Sequence, residues 1–440
     1  WTRLSISQTI WKFTIKLIWR RLLPPTIRYN NGRFYMVTTN DTTHRNFYVY
    51  TDDIHGEWSD PITIDQDGID PSLYFEDGRA FFISNGTDCE GRGGVVQCEI
   101  NIETGEKLTE SRCIWQGSGG RYLESPHMYK IGKYYYLMAA EGGTEYGHMI
   151  TYARSESVWG KFEGYPHNPV LTNRNKAPFI IQGIGHGDLI QDKNGEWHII
   201  CLGFRQIHMW MTYHHLGREC FLIPVTFHED GWFTAGNGTC EESYELSGDF
   251  AQLPLKTYTL ENIGHDICHL RHPHTENYSI TKDKITLKGT DVTLDDVASP
   301  TFAGVRQRDF DMDCSISVSV SDGEGGLTVY SCETEHYDLA LRKNEGGYEA
   351  ILRLNIGGIR HIEKAVQIPS GDAKLIIRSD SQVYKFFVQS QGEEIPMGFA
   401  MSKYLSSEVC GGFTGTVIGM YAVKGSAEFT DLHISYGKGE

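Results

Sequence analysis

The stretch DPSLYFEDGRAFFISNG, residues 70–86, carries the pattern that decides the fold. An apolar run leads into a turn that contains Gly78, and a second apolar and aromatic run follows it. This order predicts two antiparallel strands joined by a tight hairpin. The same order recurs in residues 25–40, 124–143 and 185–204, with turn glycines Gly32, Gly132 and Gly195.

Units that recur roughly every 45 to 65 residues fit sheets of four antiparallel strands, the blades of a β-propeller. The alternative is a set of unrelated hairpins in a sandwich, because aromatic strands beside glycine turns are common. We favour the propeller because all four units share one order: an acid or proline, an apolar pair, a glycine and an aromatic run.

Two of these units combine an acid with a proline near their start. Asp70 precedes Pro71, and Glu124 stands two positions ahead of Pro126. Proline cannot donate to a strand ladder and biases the preceding residue towards extended geometry, so it belongs where pairing begins. Because the first strand of each blade lines the propeller axis, we expect both carboxylates to project into one funnel.

The sequence pattern changes after residue 254. Residues 312–321, MDCSISVSVS, alternate strictly between apolar and polar, and further strand patterns follow, separated by Gly, Asp and Ser turns. This pattern is typical of an all-β sandwich. The predicted organisation is therefore an atypical segment over 1–24, a propeller over 25–250 and a β-sandwich over 255–440.

Composition narrows the choice of partners. Acidic residues outnumber basic ones by 57 to 40, and a net charge of -17 argues against nucleic acid and anionic lipid as partners. No run of about 18 apolar residues is present, so no membrane span is expected. The ten cysteines form no C-x-x-C pair, which predicts mostly buried thiols in a reducing, cytoplasmic setting.

Two carboxylates that converge on an aromatic funnel are the minimum set for cleaving a glycosidic bond. Glu124 is the better candidate for the general acid, because a neighbouring carboxylate and apolar walls raise the pKa of a buried Glu. Asp70 can supply that neighbouring charge. The alternative for Glu124 is an exposed strand-edge acid that prevents slips in strand register.

Three further side chains are candidates for substrate binding. Arg218 can fork two N–H groups onto sugar hydroxyls or a carboxylate, or it can pair with a surface acid. His186 can donate to substrate or ligate a cation on the axis, or it can be structural. Thr144 offers a hydroxyl at the end of a strand.

The motifs SGGRYLESPHMYK (118–130), GIGHGDLIQDKNGEWH (183–198) and LGRECFLIPVTFHEDGW (216–232) resemble those of the family 43 glycoside hydrolases. The resemblance is to the β-xylosidase branch with a C-terminal β-sandwich, and GGFTGTVIGMYA (411–422) agrees with that domain. It implies a five-bladed propeller and an inverting exo-β-1,4-xylosidase that acts on xylo-oligosaccharides.

By the same resemblance, Glu124 is the general acid and Asp70 tunes its pKa and orients it. Arg218 holds the sugar and the Asp70 carboxylate, His186 and Thr144 lie near the pocket, and Phe413 helps to close it. No cofactor is required, although a divalent cation such as calcium near His186 fits the family pattern.

One part of the family pattern is missing. The family takes its general base from an Asp-Pro motif near the N-terminus, and no such motif precedes Asp60-Pro61, which has a different context. The first blade is therefore expected to be incomplete and the chain as written to be a weak or inactive xylosidase. The alternatives are an α-L-arabinofuranosidase, acting on arabinose-containing substrates, and a catalytically silent carbohydrate-binding protein. Assembly into a homo-oligomer stays open.

Overall fold

The computed structural model describes residues 22–207, 211–245 and 257–437, without the side chain of His265. The described chain falls into two compact units. The first contains residues 22–204 and 220–245, and the second contains the described part of Arg205–Glu219 together with 257–437. No helix among these residues is long and apolar enough to cross a membrane.

The described residues of the first unit form four sheets, each of four antiparallel strands in chain order. Sheet A contains β1 (Thr26–Asn30), β2 (Arg33–Asn40), β3 (Arg45–Thr51) and β4 (Ile62–Ile64). Sheet B contains β5 (Ile69–Glu76), β6 (Arg79–Thr87), β7 (Gly93–Ile100) and β8 (Arg112–Trp115). Sheet C contains β9 (Glu124–Ile131), β10 (Tyr134–Glu141), β11 (Met149–Ser155) and β12 (Glu163–Gly164). Sheet D contains β13 (Ile181–Gln191), β14 (Trp197–Arg205), β15 (Glu219–Phe227) and β16 (Phe233–Ala235).

The four predicted hairpins are the first two strands of these four sheets. Each sheet has the meander order of a propeller blade. The incomplete blade expected over residues 1–24 falls almost entirely on residues 1–21, outside the described residues. Leu22 and Leu23 continue the β1–β2 ladder, since Leu22 bridges Asn40 and the Leu23 N–H donates to Thr39 O at 3.0 Å.

The sheets pack face to face, which explains why their strands are apolar on both sides. In sheet B, Phe82 packs in a core with residues of sheet A, while Phe81 and Ile83 pack with residues of sheet C. In sheet C, Leu137 faces sheet B and Tyr136 faces sheet D. A strand buried on both faces shows an unbroken apolar run instead of alternation.

Tyr152 joins sheets C and D. Its ring stacks on Phe233 with the centroids 3.9 Å apart, and its hydroxyl both donates to Phe233 O and accepts from Phe233 N–H at 2.8 Å. We expect Tyr152→Phe to destabilise the protein by about 1–3 kcal/mol, because two buried backbone groups lose their partner. Urea unfolding followed by intrinsic fluorescence measures this. Tyr29→Phe, at a tyrosine that is 62% exposed, is the control, and an equal effect of both changes would contradict the prediction.

The second unit is built on two antiparallel sheets. Sheet E has the spatial order β17 (Tyr278–Ile280), β18 (Ile285–Lys288), β29 (Ser426–Tyr436), β20 (Met312–Val320), β25 (Asp372–Ser379), β26 (Val383–Ser390) and β27 (Glu393–Met401). Sheet F has the order β19 (Thr301–Arg306), β28 (Val417–Val423), β21 (Glu324–Cys332), β22 (Glu335–Asn344), β23 (Gly347–Ile356) and β24 (Ile359–Ile368). Short helical turns cover Gly264–Asp266, Thr275–Asn277, Ser402–Leu405 and Ser407–Cys410.

A single core contains residues of both sheets, among them Ile316 and Phe386 of sheet E and Leu339 of sheet F. The unit is therefore a β-sandwich. The alternation in 312–321 is confirmed, because Cys314, Ile316, Val318 and Val320 all point into this core. All ten cysteines are free thiols; four are buried, four half-buried and two exposed.

The segment Arg205–Glu219 connects two strands of sheet D in sequence, yet it belongs to the second unit. Glu408 accepts hydrogen bonds from the backbone N–H of His214 at 3.0 Å and pairs with its Nδ1 at 2.8 Å. The Thr416 N–H donates to His215 O at 2.8 Å. A Cβ at Gly217 would lie 2.5 Å from the backbone nitrogen of Gly415, so only glycine permits this close approach.

Candidate active site

The inner strands β5 and β9 each contain a β-bulge at their proline. Ile69 pairs with Asn85 and Ser72 with Ile83, so three steps on β5 oppose two on β6. On β9, Glu124 pairs with Ala140 and His127 with Met138 in the same way. Because proline lacks an N–H, it is placed where the ladder is already interrupted.

The residue before each proline adopts a left-handed backbone. Asp70 has φ +51° and Ser125 has φ +55°, and His186 on β13 shares this conformation at φ +48°. The expectation of an extended residue before the proline is therefore wrong at Asp70, because the bulge requires positive φ there. Such conformations cost about 1–3 kcal/mol and cluster at functional sites, which marks these three positions.

Two hydrogen bonds connect sheet B with the start of β9. The Ser72 hydroxyl donates to Pro126 O at 2.6 Å, and the Asn85 side-chain amide donates to Leu123 O. The first contact joins the inner strands β5 and β9, and the second joins β6 to the residue before β9. Asp70 and Glu124 therefore lie at the same end of adjacent inner strands of sheets B and C.

His186 joins this end of the first unit. Its Nδ1 lies 3.9 Å from Asp70 Oδ2, and Asp70 is buried with 7% of its surface exposed. The structure thus brings together two of the predicted site residues, which are contributed by sheets B and D. His186 is half-buried and Glu124 is half-buried, so both retain access to solvent.

Glu141 organises the loop that leads into Glu124, and the sequence analysis missed it. Its buried carboxylate accepts hydrogen bonds from the backbone N–H groups of Ser118 at 2.7 Å and Gly120 at 2.6 Å, and from the Thr151 hydroxyl at 2.8 Å. An acid at the end of an apolar strand, followed by two glycines, was the available signal. It indicated a turn more readily than a carboxylate that faces inwards.

Thr144 lies half-buried in the loop between β10 and β11. This loop begins at Gly142, whose N–H donates to Arg121 O at 2.7 Å. The contact ties it to the segment immediately before Glu124. Thr144 is therefore placed at the same end of sheet C as the proposed acid.

Arg218 and Phe413 lie together within the second unit. The Arg218 guanidinium stands 4.6 Å from the centre of the Phe413 ring, and the Arg218 N–H donates to Phe413 O at 3.2 Å. Phe413 is 36% exposed. A cation stacked on an aromatic ring is a stable arrangement.

The divalent cation expected near His186 receives no support. Within residues 22–207, 211–245 and 257–437, no group of three or more His, Cys, Asp or Glu side chains is placed to hold a metal ion. Calcium prefers six to eight oxygen ligands, and the pairing of His186 with Asp70 falls far short of such a set.

A propeller whose inner strands present an acid and a second carboxylate at one end, followed in sequence by a β-sandwich, defines a glycosidase class. The model of glycosyl hydrolases family 43 matches residues 12–233, and that of the β-xylosidase C-terminal concanavalin A-like domain matches 256–435. The chain belongs to family 43 of the glycosyl hydrolases. Enzymes of this family need no cofactor for catalysis.

Among its relatives, a non-reducing end α-L-arabinofuranosidase of Bacteroides ovatus is 36% identical over 90% of this chain and 77% of its own length. A xylosidase/arabinosidase of Butyrivibrio fibrisolvens is 30% identical over 92% of this chain and 83% of its own. The solved xylan β-1,4-xylosidase of Bacillus halodurans superposes with a TM-score of 0.86 at 26% identity, covering 95% of this chain and 87% of that one. These comparisons confirm the all-β propeller and sandwich architecture.

Proposed function

We propose that the chain removes terminal pentosyl residues, β-D-xylosyl and α-L-arabinofuranosyl, from the non-reducing ends of xylo-oligosaccharides and arabinose-containing chains. The observation that carries the proposal is the placement of Glu124 and Asp70 at the same end of adjacent inner strands, aligned by the contact of Ser72 with Pro126. The family and its xylosidase and arabinofuranosidase relatives support the pentose as substrate.

The proposed reaction is a single displacement with inversion. Glu124 gives its proton to the glycosidic oxygen as the bond from that oxygen to the anomeric carbon breaks. Water attacks the opposite face of the same carbon and loses a proton to a base. Asp70 keeps a negative charge beside the acid, which favours the protonated form of Glu124 until substrate binds.

The general base is the one role that none of the predicted site residues fills. Asp60, which precedes Pro61, is exposed in the loop between β3 and β4, the outermost strand of sheet A. Arg218 and Phe413 are proposed to bind the sugar, because a guanidinium and an aromatic face suit its hydroxyl groups and its apolar face. His186 and Thr144 are proposed to contact its hydroxyls.

Rates on 4-nitrophenyl β-D-xylopyranoside and 4-nitrophenyl α-L-arabinofuranoside test the substrate. We expect both to be hydrolysed, because the relatives of the chain include an α-L-arabinofuranosidase and a xylosidase/arabinosidase. Proton NMR of the first product should show inverted anomeric configuration. Each assay is repeated with sodium azide, a small anion that can attack the anomeric carbon in place of activated water.

Two outcomes would contradict the proposal. Binding of xylose or arabinose without turnover of either glycoside, with or without azide, would favour the catalytically silent carbohydrate-binding protein. A product that first appears with retained configuration would exclude the single displacement, because a retaining enzyme needs a covalent intermediate.

A further inference from the structure

A network of polar side chains, buried at His127 and half-buried at Arg28 and Asp188, lies along the inner strands of sheets A, C and D. Arg28 of β1 binds Asp188 of β13 with two N–H groups, Nη1 to Oδ2 at 2.7 Å and Nη2 to Oδ1 at 3.1 Å. Tyr129 of β9 donates its hydroxyl proton to Asp188 and accepts the Leu189 N–H at 2.9 Å. Bidentate pairs of this kind fix both partners in orientation as well as in position.

Arg28 also determines which nitrogen of His127 carries the proton. Its Nη2 lies 2.8 Å from His127 Nδ1. A guanidinium can only donate, so Nδ1 must accept and the proton must reside on Nε2. Burial lowers the pKa of His127 to about 3, and the Arg28 charge acts in the same direction. The imidazole is therefore neutral throughout the working range of pH.

The Nε2–H of this tautomer faces Ser125, whose Oγ lies 3.4 Å away. Ser125 is the residue with positive φ that directly follows Glu124. On either side of this pair, Leu123 O accepts from Asn85 and Pro126 O accepts from Ser72. A strained backbone conformation such as that of Ser125 persists only where the surrounding contacts fix it fully. His127, two residues further along β9, adds one of these contacts.

We propose that Arg28 and His127 are positioning residues for the general acid: the guanidinium, held by Asp188, orients the imidazole so that it fixes Ser125 and, through the bulge, the Glu124 carboxylate. The inference rests on the proposed function, because it assigns the network to the protonation of the leaving group. It explains why a half-buried charged pair connects β1 and β13, two of the inner strands.

The dependence of rate on the leaving group tests the proposal. Protonation by an acid matters most for leaving groups of high pKa and little for 2,4-dinitrophenolate. In a series of aryl pentosides, His127→Phe and the milder Ser125→Ala should lower kcat/KM about 10-fold to 100-fold for the poorest leaving groups, because a displacement near 1 Å costs about that much. For the dinitrophenyl glycoside we expect less than about a 3-fold change.

His198→Phe is the matched control, since His198 is a buried histidine on β14, the second strand of sheet D. It should leave the slope of rate against leaving-group pKa unchanged. Arg28→Lys should steepen the slope as His127→Phe does, because a single ammonium group cannot hold Asp188 and His127 in one plane. Melting temperatures of all variants separate loss of folding from loss of positioning.

The outcomes are distinguishable. If kcat/KM fell equally for all leaving groups in Ser125→Ala and His127→Phe, the network would have a purely structural role. That result would overturn the inference. A wild-type chain that turns over neither glycoside, with or without azide, would overturn the proposed function and this inference with it. If the slope of rate against leaving-group pKa became steeper in Ser125→Ala alone, the bulge by itself would position Glu124. Arg28 and His127 would then have no part in positioning it.

Discussion

Glutamine at position 124 is expected to lower kcat/KM for an alkyl pentoside by about 100-fold to 10,000-fold, the usual contribution of a general acid. Glutamine matches glutamate in size, so the half-buried side chain keeps its place at the start of β9. It cannot release a proton to the departing oxygen. The value of kcat/KM for the dinitrophenyl pentoside should fall far less, because its leaving group departs as a stable anion.

Glu163→Gln provides the control for this prediction, since Glu163 is an exposed acid on β12, the outermost strand of the same sheet. Steady-state rates on both substrates at several values of pH give the comparison. The alkaline limb of the pH–rate profile and the leaving-group dependence should change together in Glu124→Gln. Retention of wild-type rates on the alkyl pentoside would remove Glu124 from the mechanism.

The second large effect is expected in the β-sandwich, where Asp338→Ala should destabilise the protein by about 3–5 kcal/mol. Asp338 is 1% exposed, and its carboxylate accepts hydrogen bonds from Arg353 Nε at 3.0 Å and the Thr328 hydroxyl at 2.8 Å. His336 Nδ1 lies 2.9 Å from it. Removing this acid takes from Arg353 its fully buried counter-charge and leaves it only the half-buried Glu324.

The pH dependence of this effect follows from the pKa of Asp338. Burial by itself would raise that pKa, but His336 and Arg353 hold it well below its usual range. The folded state therefore binds fewer protons than the unfolded chain, whose Asp groups titrate near about 3.9. The stabilisation is fully present above that pH and is lost as the pH falls towards the folded value.

Urea unfolding at pH 7 and at pH 3 measures both features of this prediction. The difference in free energy of unfolding between wild type and Asp338→Ala should be smaller at pH 3 than at pH 7. Asp372→Ala, which changes an exposed acid at the start of β25, should stay within about 0.5 kcal/mol of wild type. A loss in Asp338→Ala no larger than that of the control would show that the buried pair adds no stability.

Much of the fold could be predicted because its strands are buried on both faces. The runs around Phe82 and Leu137 are apolar and aromatic, and a glycine lies in each turn. The hairpins could therefore be predicted from the sequence. The alternation around Ile316 was equally clear, since that strand belongs to a two-layer sandwich. Local patterns of this kind depend only on residues close together in the chain.

The site was less predictable, because its details depend on contacts between distant strands. Proline after Asp70 suggested an extended backbone, and the bulge reversed the sign of φ. Nothing in the sequence tied Arg28 to Asp188, 160 positions away. His127 stood in the motif that identified the family, but its tautomer depends on that distant guanidinium.

The membership of Arg205–Glu219 in the second unit has a consequence for engineering. A chimaera made by a single crossover near the end of the propeller sequence would retain this segment and replace every group it bonds to in the sandwich, including Glu408 and Thr416. Exchange of the C-terminal domain between family members therefore calls for three junctions, so that the inserted loop travels with the domain that holds it.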